Sequence, residues 1–294
     1  MSPVRLTFLT TLAMLAFAAN SLLNRMALTE TGLDAGSFTL IRVFSAAAFL
    51  VLLTLLRGRS ATALVQAGSW PSALVLLLYA AGFSFAYLHL TAATGALLLF
   101  GAVQATMIAW GLWCGERPNR LQLGGLLAGF SGVVWLLFPG VSAPPLPAAM
   151  LMAVAGVGWG IYSLRGKSSS DAVSSSAANF ARASLLAAGL WLVLFTANTA
   201  GITDFVFADI TGVSAAGVAC ALASGVLASG AGYALWYGVL PHMQATTAAT
   251  VQLTVPAITA VAGVLIAGEA IDSRLFMAFV LIIGGVAVFI RCRH

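Results

Sequence analysis

One apolar run follows another along this chain, each close to 20 residues long and broken only by short polar or Gly/Pro-containing joints. A helix needs about 20 residues to cross the roughly 30 Å of hydrocarbon in a bilayer. Dividing the runs at their breaks predicts ten membrane helices, at approximately 4–28, 36–56, 71–90, 93–113, 121–138, 147–165, 177–198, 213–238, 245–267 and 274–291. A water-soluble alternative fails on composition. Hydrophobic residues make up 61% of the chain and charged residues 7%, against about 25% charged in soluble domains. Too few charges remain to cover a globular surface.

The formal net charge is +5, but no run of Lys and Arg exceeds Arg165–Lys167, so nothing could track a phosphate backbone and no nucleic-acid partner is expected. Cys114, Cys220 and Cys292 have no CxxC spacing, so neither a metal site nor a disulfide framework is indicated. No cofactor motif is present: Gly160 to Gly166-Lys167-Ser168 imitates a phosphate loop, but the glycines are one residue too far apart and the segment leaves a helix. GxSxG, HExxH and paired-Asp motifs are also missing, and no enzyme activity is expected. Arg5, the run from Leu6 and Ala16-Phe17-Ala18 imitate a signal peptide, yet the segment is expected to stay as the first helix.

Charge distribution sets the expected orientation. With a cytoplasmic N-terminus, Arg5, Arg57, Arg59, Arg117, Arg120, Arg165, Lys167, Arg291 and Arg293 fall inside, and only Arg25 and Arg274 outside. Both termini are then cytoplasmic. The two halves also match each other. Arg25 pairs with Arg165 and Arg42 with Arg182; after an insertion around Asp204–Asp209, His89 pairs with His242, Thr94 with Thr247, and Gly115-Glu116 with Gly268-Glu269. Each half, 1–140 and 146–294, holds five helices. An odd number turns the second copy over, which predicts an all-α membrane protein of two inverted five-helix repeats with a site near the midplane.

Gly115-Glu116-Arg117, Gly268-Glu269, Trp159-Gly160 and Pro256 resemble the EamA-type drug/metabolite transporter superfamily, and the aromatic-rich third, sixth and eighth helices resemble its YddG-like exporters of aromatic and other neutral amino acids. The resemblance implies alternating access around a central cavity lined by helices one, three, four, six, eight and nine, in a multi-pass protein of the bacterial inner membrane. Val103 stands where the repeat predicts a partner for Pro256, so a helix break is expected in the second half alone. Export of cationic drugs or nucleotide-sugar-like metabolites, or a scaffold or scramblase role, are the alternatives. A monomer is expected.

Candidate substrate residues follow from what a polar solute needs inside lipid. Tyr79, Phe83 and Tyr87 recur every four residues and share one helix stripe; Tyr233, Trp236 and Tyr237 answer from the eighth helix, with Trp159 and Ser163 from the sixth. Such rings would bury an apolar side chain and hold an ammonium by cation–π attraction. Packing, or a place in the interfacial belt, is the plainer reading, above all for Tyr87 and Tyr237; Trp70, Trp110, Trp113 and Trp191 read as belt. Gln104, on the face of Phe100, and Gln252, four before Pro256, are either substrate contacts or interhelical hydrogen-bond partners, and Asn20 and Gln244 join them as amides within or beside the lining helices, Asn20 as a tie between helices. His89 and His242, at opposite faces, could titrate and gate, though solvated loop ends are the ordinary reading. Arg42 and Arg182 are expected to snorkel to headgroups, with recognition of a carboxylate by either as the alternative, and Glu116 and Glu269 to cap helices or form ion pairs beside Arg117 and Arg274.

Overall fold

A computed structural model of the protein describes residues 1–115, 119–138, 143–167, 171–201, 214–243, 251–252 and 254–291. Glu116, Arg117, Pro139, Ser168, Asp204, Asp209, Gln244, Thr247 and Cys292 lie outside them.

Among the described residues every regular element is helical. α1 (Pro3–Glu30), α2 (Ala35–Leu56), α3 (Ala61–Ala67), α4 (Trp70–Ala86), α5 (Ala92–Trp113) and α6 (Arg120–Leu137) are followed by α7 (Leu146–Lys167) and α8 (Ala172–Thr199). Next, α9 (Ala215–Ala223) runs through a π-helical segment (Ser224–Ala231) into α10 (Gly232–Val239), and α11 (Thr254–Ala267) and α12 (Ser273–Arg291) complete the bundle. Seven of these helices are long and apolar enough to cross a membrane, Ala215–His242 counting as one; Trp70–Ala86, Thr254–Ala267 and Ser273–Phe289 are apolar but shorter. This is a multi-pass helical membrane protein.

Helix ends are closed by side chains, which satisfy first-turn N–H groups that have no partner within the helix. Asp34 accepts from Ser37 N at 2.8 Å, Asp171 from Ser174 N at 3.1 Å and Asp272 from Leu275 N at 2.7 Å. Asn119 and Gln122 cap reciprocally at the start of α6. α4 ends at Ala86, four residues before the expected 90. α8 begins five residues earlier than expected, capped by Asp171, and the short α3 was not foreseen. α3 is tied to α8 through Arg182, whose Nη2 donates to Val65 O at 2.6 Å.

Two pairs of long helices, α2 with α8 and α6 with α12, pack antiparallel. Beyond the C-terminus of α2, Arg59 pairs with Asp171 at the start of α8 at 2.9 Å, while late in α8 Trp191 donates to Ser37 Oγ, early in α2, at 3.0 Å. Gln122, at the start of α6, donates to Phe289 O near the end of α12 at 3.2 Å, and Arg274, at the start of α12, donates to Phe138 O beyond α6. α4 spans between two ends of the bundle. Its first turn is held by Arg165 from the end of α7, which donates to Ser72 Oγ at 2.8 Å; beyond its last turn, Arg25 from the end of α1 donates to Tyr87 O at 3.0 Å. α1 and α7 therefore run in opposite directions. Neighbours also correspond: α1 packs on α10 and α11, as α7 packs on α4 and α5.

In lipid, water does not drive apolar helix faces together, so close approach decides which pairs hold. α6 and α12 meet through glycines. A Cβ on Gly125 would lie 2.5 Å from Gly285 O and 2.9 Å from Phe289 N, whereas one on Gly124 would meet nothing within 4 Å. Gly125→Val is expected to cost about 1–3 kcal/mol by overpacking, read as a lower thermal-unfolding midpoint in detergent, with Gly124→Ala leaving the midpoint nearly unchanged.

The end carrying Arg59 has its own pH signature. Partial burial pushes the Asp171 carboxyl up, but hydrogen bonds from Ser174 and the guanidinium groups of Arg59 and Arg57 outweigh that and hold it below the usual carboxylate range. A folded-state value below the unfolded one gives stabilisation that is present above about pH 4 and lost as acid protonates the group. Measured from about pH 6 down to about pH 3, the unfolding midpoint of Asp171→Asn should therefore fall less steeply than that of the native protein.

Candidate functional site

Aromatic rings from both halves of the chain meet inside the bundle. Tyr79 and Phe83 come from α4, Trp159 from α7, Tyr233 from α10, Phe100 from α5 and Phe17 from α1, all buried. Trp159 lies 4.8 Å from Tyr233, edge-on at 65°, and 5.3 Å from Tyr79; Phe17 approaches Trp159, Tyr233 and Trp236 at 5.8 to 6.1 Å. Edge-to-face contacts of this kind place ring hydrogens on π-faces and are worth about 0.5–1.5 kcal/mol each beyond burial. With Asn20 and Leu99 the rings enclose a cavity of about 10 Å³, on the order of one water. The cavity is much narrower than the sequence suggested, because the rings fill one another's gaps in this conformation.

Behind this cluster sits Arg42, which the sequence reading sent out to the headgroups. It is 1% exposed. Its Nε donates to Ser229 Oγ at 3.2 Å and its Nη2 to Tyr79 OH at 3.0 Å, and its guanidinium lies 5.2 and 5.0 Å from the ring centroids of Tyr79 and Phe83. Nη1 is buried without a hydrogen-bond partner among the described residues. Two rings and two hydroxyls replace the headgroup water that snorkelling would have supplied, which is why the side chain turns inward. Arg182, which the sequence expectation paired with it, stays half-buried at the bundle end, over the ring of Trp70 at 5.8 Å.

The π-helical segment supplies part of this arrangement. Its wider turn sets both Ser224 and Ser229 against the first half: Ser224 Oγ donates to Asn20 Oδ1 at 2.6 Å, and Ser229 accepts from Arg42. Gly225 lets the segment lie on α2, since a Cβ there would be 2.5 Å from Arg42 O. Asn20 in turn donates to Tyr79 OH at 3.2 Å, so it ties three helices together and lines the cavity as well.

A polar cleft of about 290 Å³ opens at the Arg165 end, among Ser69, Ser72, Tyr162, Arg165, Ser176 and Asn179. Tyr162 separates it from the centre. Its ring stacks on Trp159 at 6.0 Å and lies 6.1 Å from Tyr233, and its hydroxyl donates to Ser176 Oγ at 3.3 Å. At the opposite end Glu269 accepts from Ala92 N at 2.8 Å and Ala93 N at 3.4 Å, capping α5, and lies 3.8 Å from Arg25. Arg25, not Arg274, is its cationic neighbour.

The remaining sequence candidates divide between interior and surface. Tyr87 and Tyr237 are buried, not belt residues: Tyr87 donates to Ala92 O at 3.2 Å, and Tyr237 packs against Gly166. Trp236, Gln104, Ser163, Gln252 and Pro256 are buried too, with Ser163 Oγ and Gln252 Oε1 lacking hydrogen-bond partners among the described residues. His89 and His242 are exposed beyond α4 and at the end of α10, away from the cavity. Trp70, Trp110 and Trp113 are exposed on the outside of the bundle. Sequence reasoning missed Phe17, Tyr162 and the inward role of Arg42. Phe17, Asn20 and Asn24 recur at helical spacing in an otherwise apolar α1, and that stripe was the available signal. No group of three or more His, Cys, Asp or Glu that could hold a metal occurs among the described residues.

Comparison with known proteins agrees with this architecture. Residues 146–291 match the model of the EamA-like transporter family. An uncharacterized protein of Pseudomonas aeruginosa is 47% identical over 289 residues, covering 98% of this chain and 96% of that protein. A solved crystal structure shares the fold, with a TM-score of 0.65 and 19% identity over 98% of each chain. Apolar helices in antiparallel pairs, the family match and the full-length relative together place this chain in the EamA-like transporter family of membrane proteins.

Proposed function

We propose that this transporter exports small metabolites, with aromatic and other neutral amino acids as substrates, across the bacterial inner membrane by alternating access. The observation that carries the reading is the central cluster. Tyr79 and Phe83 from the first half and Trp159 and Tyr233 from the second line one cavity, and Tyr162, which lines the polar cleft, stacks on Trp159 of that cluster. A surface shared between two bundles is made and unmade as they rock, so the ligand held there faces each side in turn.

Ten membrane helices in two inverted units, 1–140 and 146–294, fit this scheme. Antiparallel packing of α1 with respect to α7, of α2 with α8 and of α6 with α12 supports the inversion, as does a family match that begins at 146. With both termini cytoplasmic, the Arg165 cleft faces the cytoplasm, and the ring-filled centre makes the present conformation an occluded one with its polar cleft on the inner side. The protein works as a monomer and without proton coupling: Asp34, Asp171, Asp272 and Glu269 cap helices at the bundle ends, far from the cluster.

Counterflow of radiolabelled tryptophan, phenylalanine, methionine and threonine in proteoliposomes tests the assignment. Exchange is expected, and Trp159→Ala or Tyr233→Ala should lower it by about tenfold, roughly 1.4 kcal/mol of lost stabilisation. Absence of exchange for all four removes the amino-acid reading, and exchange of quaternary ammonium compounds or nucleotide sugars would replace it. An imposed pH gradient should leave the final substrate level unchanged; uphill accumulation would establish coupling.

Tyr162 gives a second, independent check. In a cysteine-free background carrying Phe100→Cys, a membrane-impermeant maleimide applied from the cytoplasmic side should label several-fold faster once Tyr162→Ala is added. Unchanged labelling would mean that the cleft does not lead to the cavity.

A further inference from the structure

We propose that Tyr79 and Arg42 form an anion site at the wall of the central cavity, which receives the carboxylate of the substrate while the aromatic cluster takes its side chain. This deepens the transport reading above and rests on it for the identity of the cavity. Tyr79 OH accepts from Asn20 Nδ2 at 3.2 Å and from Arg42 Nη2 at 3.0 Å. With both acceptor positions engaged, the phenol's own proton is what it has left to give. No acceptor for that proton is present among the described residues, and Tyr79 lines the cavity.

Two donors aimed at the phenol oxygen, one of them cationic, polarise its O–H bond and make it a stronger donor. An anionic oxygen is the partner such a donor favours most. Arg42 supplies the balancing charge. The guanidinium is 1% exposed, and no carboxylate pairs with it among the described residues. Glu269 lies beside Arg25 and Asp171 beside Arg59, each at a bundle end. A positive charge inside a membrane bundle is costly without a counter-charge, and such residues mark ligand paths. The unpartnered Nη1 of the same guanidinium leaves both of its N–H donors unspent among the described residues.

A second hydroxyl points the same way. Tyr233, across the cavity, has a buried OH with no partner among the described residues. The cavity thus offers donors and a positive field, and no carboxylate that could favour a cation lines it among the described residues. A permanently cationic drug is therefore disfavoured, and a small molecule with an aromatic or apolar body and a carboxylate end is selected. The ammonium of an amino acid is tolerated, held against ring faces, but it is not the group that the site requires.

The substrate's own functional groups provide the test. Phenylalanine, phenylalanine amide and 3-phenylpropionate are compared as inhibitors of phenylalanine counterflow in proteoliposomes. The amide should compete at least about tenfold more weakly than phenylalanine, while 3-phenylpropionate, which lacks the ammonium, competes within several-fold. Tyr79→Phe keeps the ring and removes the O–H; it should bring the amide-to-acid ratio close to unity, a change in discrimination that a merely structural role would not produce. Equal competition by acid and amide in the native protein overturns the anion site and leaves the amino-acid reading intact. Where phenylalanine is not exchanged at all, thermal stabilisation of the purified protein by 3-phenylpropionate against 3-phenylpropylamine decides. Stabilisation by the acid alone, lost in both Tyr79→Phe and Arg42→Gln, upholds the site although the amino-acid reading has failed. Equal effects of the two compounds, or none, overturn it. Arg42→Gln is used only after its elution as a single folded species in detergent has been verified, and Tyr79→Phe carries the test without it.

Discussion

Arg42 places a full positive charge inside a bundle that has no water to spare for it, and the parts of the structure that meet around it can be understood from that one demand. α1 contributes Asn20, α4 contributes Tyr79 and Phe83, and the π-helical segment contributes Ser229. Lipid tails are as apolar as leucine, so an ordinary apolar face gives helices little reason to choose one neighbour over another. A guanidinium that must be solvated by protein does give one. The two halves of the chain are drawn together at this point by hydrogen bonds of defined direction, and Gly225 removes the side chain that would keep the π segment off α2.

The charges of the opposite sign are spent differently. Asp34, Asp171, Asp272 and Glu269 each accept from backbone N–H groups at the first turn of a helix, where the helix dipole also favours a negative charge. Helix ends are where a membrane protein meets water and headgroups, so these carboxylates keep partial solvation and close the backbone at once. Among the described residues the division leaves these carboxylates at the ends and the Arg42 guanidinium buried in the middle, which gives that point a positive field that an uncharged aromatic lining would not have. At the proposed anion site, selectivity would turn on which end of a substrate is negative and how wide its apolar body is.

Aromatic packing sets the other limit. The rings of Phe17, Tyr79, Trp159 and Tyr233 interlock with edges on faces and close the cavity to about the size of one water. A ligand with an aromatic side chain must part these rings, and its own ring can then make the same edge-to-face contacts that they give up. Tyr162 stands at the boundary, stacked on Trp159 on one side and facing the polar cleft on the other. Movement of one half against the other would shift this ring together with the wall it leans on.

Much of this was legible in the sequence, for a definite reason. Length and apolarity of a run determine a membrane helix almost by themselves, because an unpaired peptide group in hydrocarbon costs too much for any other local structure. Hence α1, α2, α5 and α7 lie close to where the runs placed them, and the spacing of Tyr79, Phe83 and Tyr87 told correctly that they share a stripe. What the stripe faces was not legible. In a soluble protein an apolar face means the core, but in a membrane both the lipid side and the bundle side are apolar, so periodicity loses its direction. Tyr87 and Tyr237 read as belt residues and are interior; Arg42 and Arg182, equivalent in sequence, went to the interior and to the bundle end. The sequence alone determined that the chain is a bundle of membrane helices with few charges to distribute. Only the tertiary structure decided which of those charges is buried, since that depends on hydroxyls and rings brought from α1, α4 and the π segment, distant in the chain, to one point.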